Sequence, residues 1–115
     1  MSGDVNLLLV DDNSDFAVAM QTGLELRGHT VALAHDAPTA LLAVKTTLPD
    51  AVLLDIGLPV IDGYELKPRL EQLGVKHFIA VSGTAGPKRS VDLGFEAHFM
   101  KPFDLDELDR ALRGL

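Results

Sequence analysis

No cysteine occurs anywhere in the 115 residues, which removes disulfides, thiol chemistry and zinc–cysteine sites. Such a chain suits a reducing compartment, and a cytoplasmic location is expected. Basic residues are also scarce: 10 Lys and Arg stand against 17 Asp and Glu, a formal net charge of −7. A nucleic-acid binder carries a basic face, and this sequence offers none, so no nucleic-acid partner is expected. The amino terminus, MSGDVN, lacks a basic-then-apolar leader pattern. No apolar run approaches the roughly 18 residues that a bilayer span requires, so no membrane partner is expected. Internal repeats and low-complexity stretches are missing too. What is plentiful is apolar side chain, 47% of the chain, in a length that fits one domain, 1–115, able to bury a core without staples.

That apolar content comes in alternating segments. Short runs with strand character are VNLLLV (5–10), TVALA (30–34), AVLLD (51–55), HFIAVS (77–82) and AHFM (97–100). Between them lie stretches with helical spacing. The first, about 14–27, sets Phe16, Ala17, Met20, Leu24 and Leu26 near one face, with Ser14 as N-cap and Gly28 as terminator. The second, about 37–47, is capped by Asp36 with Pro38 in its first turn, and turns Leu41, Leu42, Val44 and Leu48 inward. The third, about 64–73, is capped by Asp62 and closed by Gly74; Pro68 fits it only if the helix starts near Glu65. The fourth, about 87–93, is short. The fifth, about 104–113, opens on Asp104 and spaces Leu105, Leu108 and Leu112 along one side. Five strands alternating with helices predict an α/β domain with a parallel sheet. Strands 1 and 3 are apolar on both faces, as strands covered on each side must be.

Right-handed crossovers put the carboxyl ends of all five strands on one edge, where open α/β sheets bind ligands. There the sequence supplies Asp11 and Asp12 after strand 1, Asp55 at the end of strand 3, Ser82 at the end of strand 4 and Lys101 after strand 5. Three carboxylates at about 4–5 Å in an effective dielectric near 20 repel by roughly 3–4 kcal/mol per pair. Such a site raises pKa values or holds a cation. Hard oxygens on loops suit Mg²⁺, leaving one carboxylate as a nucleophile toward a phosphoryl group. Lys101 and Ser82 would then stabilise the oxygens of that group.

The pieces LLLVDDN (7–13), LLDIGLPVIDGYEL (53–66), AVSG (80–83) and FMKPF (99–103), at these spacings, resemble the receiver domain of two-component response regulators, over about residues 5–112. The resemblance implies a flavodoxin-like, doubly wound (βα)5 fold with strand order 2-1-3-4-5. It implies a phosphoacceptor, Asp55, loaded from a phosphohistidine on a histidine kinase or histidine phosphotransfer protein. It also implies Mg²⁺ (or Mn²⁺) held by Asp11, Asp12, Asp55 and the backbone carbonyl of Gly57. Lys101 would pair with the acyl phosphate, ahead of a cis peptide to Pro102. Ser82 would hydrogen-bond a phosphoryl oxygen and shift the loop that follows. Such a domain promotes its own phosphorylation and slow resetting, and is mainly a switch.

Three departures from the family pattern stand out. His98 occupies a switch position where Tyr or Phe is usual, so the coupling to Ser82 is altered or muted. The stretch from Ser82 to Lys101 is about one helical turn shorter than usual, which puts dimerisation through that face in question. Gly57 and Thr84 flank the site with small side chains. Besides the switch, the sequence admits a phosphate sink or partner-binding module. An α/β phosphatase with an aspartyl nucleophile fits less well: Asp11-Asp12 lacks the two-residue spacing of nucleophile and acid, and no cap domain fits the length. A nucleotide-binding module would want a Gly- or hydroxyl-rich loop after strand 1, where this chain has DDNSD. With the chain ending after the fifth helix, both a single-domain regulator and a receiver within a longer protein are consistent. His29, His35 and His77 show no ligand spacing and are read as surface residues.

Overall fold

The computed structural model describes residues 4–83, 90 and 92–115. Five strands, β1 (Asn6–Val10), β2 (Thr30–Ala34), β3 (Ala51–Asp55), β4 (Phe78–Ser82) and β5 (Ala97–Met100), form one sheet in the order β2-β1-β3-β4-β5. Every pairing is parallel. Among the described residues the helices are α1 (Ser14–Glu25), α2 (Ala37–Thr46), α3 (Gly63–Gln72) and α4 (Leu105–Arg113). The fold class and strand order expected from the sequence are those observed. The helix expected at about 87–93 falls largely outside the described residues.

Period-two alternation divides the strand residues between two cores. Leu8, Val10, Val52, Leu54, Phe78 and Ala80 pack beneath α2 and α3, while Leu7, Leu9, Ala51, Leu53, Ile79 and Val81 pack beneath α1 and α4. This double burial is why β1, β3 and β4 read as unbroken apolar runs. It also fixes register, since a slip of one residue would exchange the two cores.

The helix ends follow local chemistry, with some differences from the sequence reading. Asn13, not Ser14, caps α1: its side chain accepts from the Phe16 N–H. Asp36 and Thr39 form a reciprocal capping box on α2. Asp62 caps α3 one turn before Leu66, so Pro68 lies inside the helix after all, on its exposed side. Gly63 explains the early start: a Cβ there would stand 2.7 Å from the Asp55 carbonyl oxygen. Leu26 is 82% exposed because α1 ends before it. Leu42 and Leu48 also face solvent; Ala37, Ala40 and Val44 make the buried stripe of α2. Small side chains there let the helix sit close to the sheet.

His29 is not a surface residue: its side chain is fully buried. Its Nδ1 accepts the Val5 N–H at 2.9 Å, so the ring proton sits on Nε2 and is donated to Asp109 at 2.6 Å. Arg113 donates to the same carboxylate and pairs with Asp4 at 3.0 Å. The α1–β2 turn, the chain entering β1 and α4 are thereby clasped together. His77, half-exposed, pairs with Glu96, and His35 lies at the surface beside Asp36. Burial raises the Asp109 carboxyl, but the bond from His29 and the charge of Arg113 outweigh it, leaving its pKa below the ordinary value.

A carboxylate with a lowered folded pKa contributes stability above its unfolded pKa and loses it as pH falls through the folded value. His29→Ala is expected to cost about 2–4 kcal/mol in urea unfolding at neutral pH, from lost hydrogen bonds and the cavity left behind. The gap to the parent protein should narrow below about pH 4 as Asp109 protonates. A variant as stable as the parent would show that the clasp is dispensable.

Candidate functional site

The carboxyl edge of the sheet is where the polar burial concentrates. Asp11 follows β1, its N–H held by the Ala34 carbonyl of β2 at 3.0 Å, and the residue is 1% exposed. Asp55 ends β3 and is 6% exposed. Asp12 faces solvent beside them. One carboxylate oxygen from each of Asp11, Asp12 and Asp55 lies within 4.8 Å of the others.

Counter-groups hold this charge in place. Lys101, carried in from the end of β5, puts Nζ 2.8 Å from Asp11 Oδ2 and 3.8 Å from Asp55 Oδ2. The ammonium also sits 4.1 Å from the centre of the Phe16 ring, an added attraction that fixes its position. The Lys101 N–H donates to the Ser82 carbonyl at 2.7 Å, and the Lys101–Pro102 peptide is cis. Asp11 Oδ1 accepts from the Asn13 N–H and Asp55 Oδ1 from the Gly57 N–H, both at 2.9 Å. Each carboxylate therefore keeps one oxygen on backbone and turns the other to the cluster.

The balance is visible in Asp55. Burial is the largest influence and raises its pKa; the Gly57 N–H opposes it, the Asp11 charge raises it further and Lys101 lowers it, with a net rise to about 6. Three carboxylates and one ammonium leave excess negative charge. The donors are all hard oxygens, with no histidine or thiol among them, which is the set a small divalent cation takes. The residues present fit such an ion.

The turn after Asp55 is tight. Gly63 donates to the Ile56 carbonyl at 3.0 Å and Ile61 to the Pro59 carbonyl at 2.8 Å. Val60, between them, has φ 67° and is fully exposed. A β-branched residue in that region is strained, a cost confined here to the loop beside the carboxylates. Thr84, expected to flank the site, lies outside the described residues.

Ser82 is buried, 3% exposed, at the end of β4, one residue beyond Val81, which pairs with Asp55 across the β3–β4 register. Its hydroxyl meets His98 Nε2 at 2.8 Å, and His98 Nδ1 meets the Ser90 hydroxyl at 2.6 Å. The sequence reading had singled out Ser82 and His98 but not Ser90. A lone serine in a short segment carries no periodic signal, and only the fold brings its hydroxyl to His98 on β5. A groove of about 520 Å³ lies at the other edge of the sheet, lined by Asp4, Leu48, His77 and Arg113 among others, and shares none of these carboxylates.

A carboxyl whose folded pKa exceeds its unfolded value loses stability as pH rises between the two. Without divalent cations, Asp55→Asn is expected to be more stable than the parent at pH 7 by about 1–2 kcal/mol, with Lys101 and solvent offsetting part of the repulsion. The advantage should vanish near pH 4, where Asp55 itself is protonated; urea unfolding with a chelator present measures it. An Asn variant less stable at pH 7 would contradict this electrostatic account.

A family model described as the response regulator receiver domain matches residues 7–113. The chain is 32% identical over 115 residues to the response regulator MprA of Mycobacterium ulcerans (strain Agy99), an overlap covering 96% of this chain and 50% of that protein. Among solved structures, a CheY-like response regulator receiver domain protein from Methanospirillum hungatei JF-1 matches with TM-score 0.86 and 28% identity, covering 96% of this chain and 92% of that one. A response regulator protein from Burkholderia pseudomallei, described with a phosphorylated aspartic acid, calcium ion and citrate, matches with TM-score 0.85 and 28% identity, over 95% of this chain and 66% of that one. The chain spans about half the length of the curated relatives it matches.

Proposed function

The chain belongs to the response regulator receiver domain family, and we propose that it is the phosphoacceptor module of a two-component phosphorelay, with Asp55 as the acceptor. The observation that carries this reading is the meeting of Asp11, Asp12 and Asp55 within 4.8 Å, with Lys101 bridging Asp11 and Asp55. Residues 1–115 are read as one receiver domain. The donor is a phosphohistidine on a histidine kinase or histidine phosphotransfer protein, and the site of action is the cytoplasm. Among the described residues no helix is long and apolar enough to cross a membrane.

The chemistry follows from the side chains. An oxygen of Asp55 attacks phosphorus, and the phosphorus–nitrogen bond of the donor breaks. Its electron pair returns to the imidazole nitrogen, which takes up a proton. The Gly57 N–H keeps the carboxylate oriented, and Lys101 is positioned to turn from Asp11 to the oxygens of the arriving group. Ser82 offers those oxygens a hydroxyl. Asp11, Asp12, Asp55 and the Gly57 carbonyl would hold Mg²⁺ (or Mn²⁺). When bound, the ion neutralises charge on the carboxylates and the transferring group. The phosphorylated aspartic acid and calcium ion of the Burkholderia pseudomallei relative support this assignment. Hydrolysis of the acyl phosphate resets the domain. The altered residue at 98 keeps a second reading in view, a phosphate sink with muted switching.

Incubation with acetyl phosphate and Mg²⁺ should add one phosphoryl mass, and Asp55→Asn should abolish the addition; labelling that persists in that variant would move the acceptor elsewhere. Saturating Mg²⁺ at about a hundred times its Kd should stabilise the parent by about 2.7 kcal/mol. Asp12→Ala should lose most of this gain in a thermal shift series, and a full gain in that variant would remove Asp12 from the ligand set. Lys101→Ala should retain the Mg²⁺ response yet label at least tenfold more slowly.

A further inference from the structure

Four polar side chains form a line leading away from the site. Ser82 Oγ lies 2.8 Å from His98 Nε2, His98 Nδ1 lies 2.6 Å from Ser90 Oγ, and Ser90 Oγ lies 3.1 Å from the Tyr64 hydroxyl. Ser82 and Ser90 are buried and His98 is half-buried. Tyr64 belongs to the first turn of α3, and its ring stands edge-on to Phe95 with centroids 6.0 Å apart. The neighbouring Gly63 N–H bonds the carbonyl of Ile56, the residue after Asp55. The line therefore leaves the phosphoacceptor strand's neighbour, β4, passes through β5, and returns to the helix that starts beside the acceptor.

Proton counting limits how this line can be drawn. A neutral imidazole donates from one nitrogen and accepts at the other, and each hydroxyl has one proton. Burial lowers the His98 pKa, which favours the neutral ring. Two senses remain. In the inward sense Tyr64 donates to Ser90, Ser90 to Nδ1 and Nε2–H to Ser82; the Ser82 proton is then directed to a partner other than His98. In the outward sense Ser82 donates to Nε2 and Nδ1–H to Ser90, whose hydroxyl either donates to Tyr64 or accepts from it as well. Oxygens of a phosphoryl group on Asp55 accept hydrogen bonds and supply none at their ionised positions, so Ser82 contacts them only as a donor. Only the inward sense allows this while keeping the bond to His98.

We propose that His98 is a positioning residue for the Ser82 hydroxyl, and that phosphorylation of Asp55 selects one sense of the Ser82–His98–Ser90–Tyr64 chain, conveying the state of the site to α3. This rests on Asp55 and Ser82 having the roles proposed above. The device needs no rotation of residue 98. The ring already lies between two serines, and what changes is which nitrogen holds the proton. In the unmodified protein both senses are populated; in the phosphorylated protein His98 is the Nε2–H tautomer and the Tyr64 hydroxyl donates inward.

Two readouts test it. Long-range proton–nitrogen spectra of ¹⁵N-labelled protein, with His98 assigned from a His98→Asn variant, report the tautomer directly. Tyr64 is the only tyrosine of a chain without tryptophan, so its Raman and fluorescence signals report the hydroxyl without interference. Mass spectrometry after acetyl phosphate and Mg²⁺ establishes modification of each sample. The expected result is a shift from averaged imidazole nitrogens to a protonated Nε2 and an unprotonated Nδ1, with a matching change at Tyr64. Ser90→Ala should still take up the phosphoryl group but lose the Tyr64 change, and Ser90→Thr should restore it. A modified protein whose His98 and Tyr64 signals match the unmodified one, or whose His98 carries its proton on Nδ1, overturns the relay alone. Failure to take up a phosphoryl group at Asp55 overturns the functional reading beneath it.

Discussion

Like charge crowded at one sheet edge is the constraint around which this molecule is arranged. Asp11 and Asp55 are both almost fully buried, and Asp12 adds a third carboxylate within 4.8 Å. Left alone, that cluster would neutralise by protonation or push its loops apart. The fold opposes this with one backbone N–H for each buried carboxylate and with the Lys101 ammonium, itself held against Phe16. Burial above all, and then the Asp11 charge, still outweigh the Gly57 N–H and Lys101, and the pKa of Asp55 stays raised. The residual charge of the cluster fits the edge to a divalent cation and underlies the phosphoryl chemistry proposed for it.

The rest of the architecture delivers those groups to one place. Residues ninety positions apart, Asp11 and Lys101, meet at 2.8 Å because β1 and β5 run the same way in one sheet. Two apolar cores, one beneath each helix layer, keep the central strands from slipping. Since a one-residue slip would exchange the residues of the two cores, the packing far below the edge governs the spacing of the carboxylates. Gly63 belongs to the same economy of space: α3 begins so near the end of β3 that no side chain fits.

Polar burial elsewhere follows a different logic. His29 at the opposite edge has its Nδ1 filled by a backbone N–H and its Nε2 proton given to Asp109, which assigns it one tautomer and a structural part. His98 has a serine hydroxyl at each nitrogen, and hydroxyls can reverse their sense. One histidine is locked by an obligatory donor; the other sits among partners that allow two arrangements. That contrast, rather than burial alone, separates the clasp from the relay.

Strand positions, and the meeting of Asp11, Asp12, Asp55 and Lys101 at one edge with Ser82 at the end of the neighbouring strand, were legible from local pattern and the handedness of parallel crossovers, while the strand order came from the family resemblance. The caps Asp36, Asp62 and Asp104 were legible for the same reason: their bonds reach two or three residues along the chain. Periodicity misjudged Leu26, Leu42 and Leu48, since where a helix ends, and which of its sides meets the sheet, is settled by packing against other segments. His29, Ser90 and Tyr64 carried no signal at all. Their partners lie 24 and 80, 8 and 26 positions away respectively for His29, Ser90 with His98, and Tyr64 with Ser90. A one-dimensional pattern records what each residue prefers, whereas hydrogen bonds across such separations exist only once tertiary packing has brought their ends together.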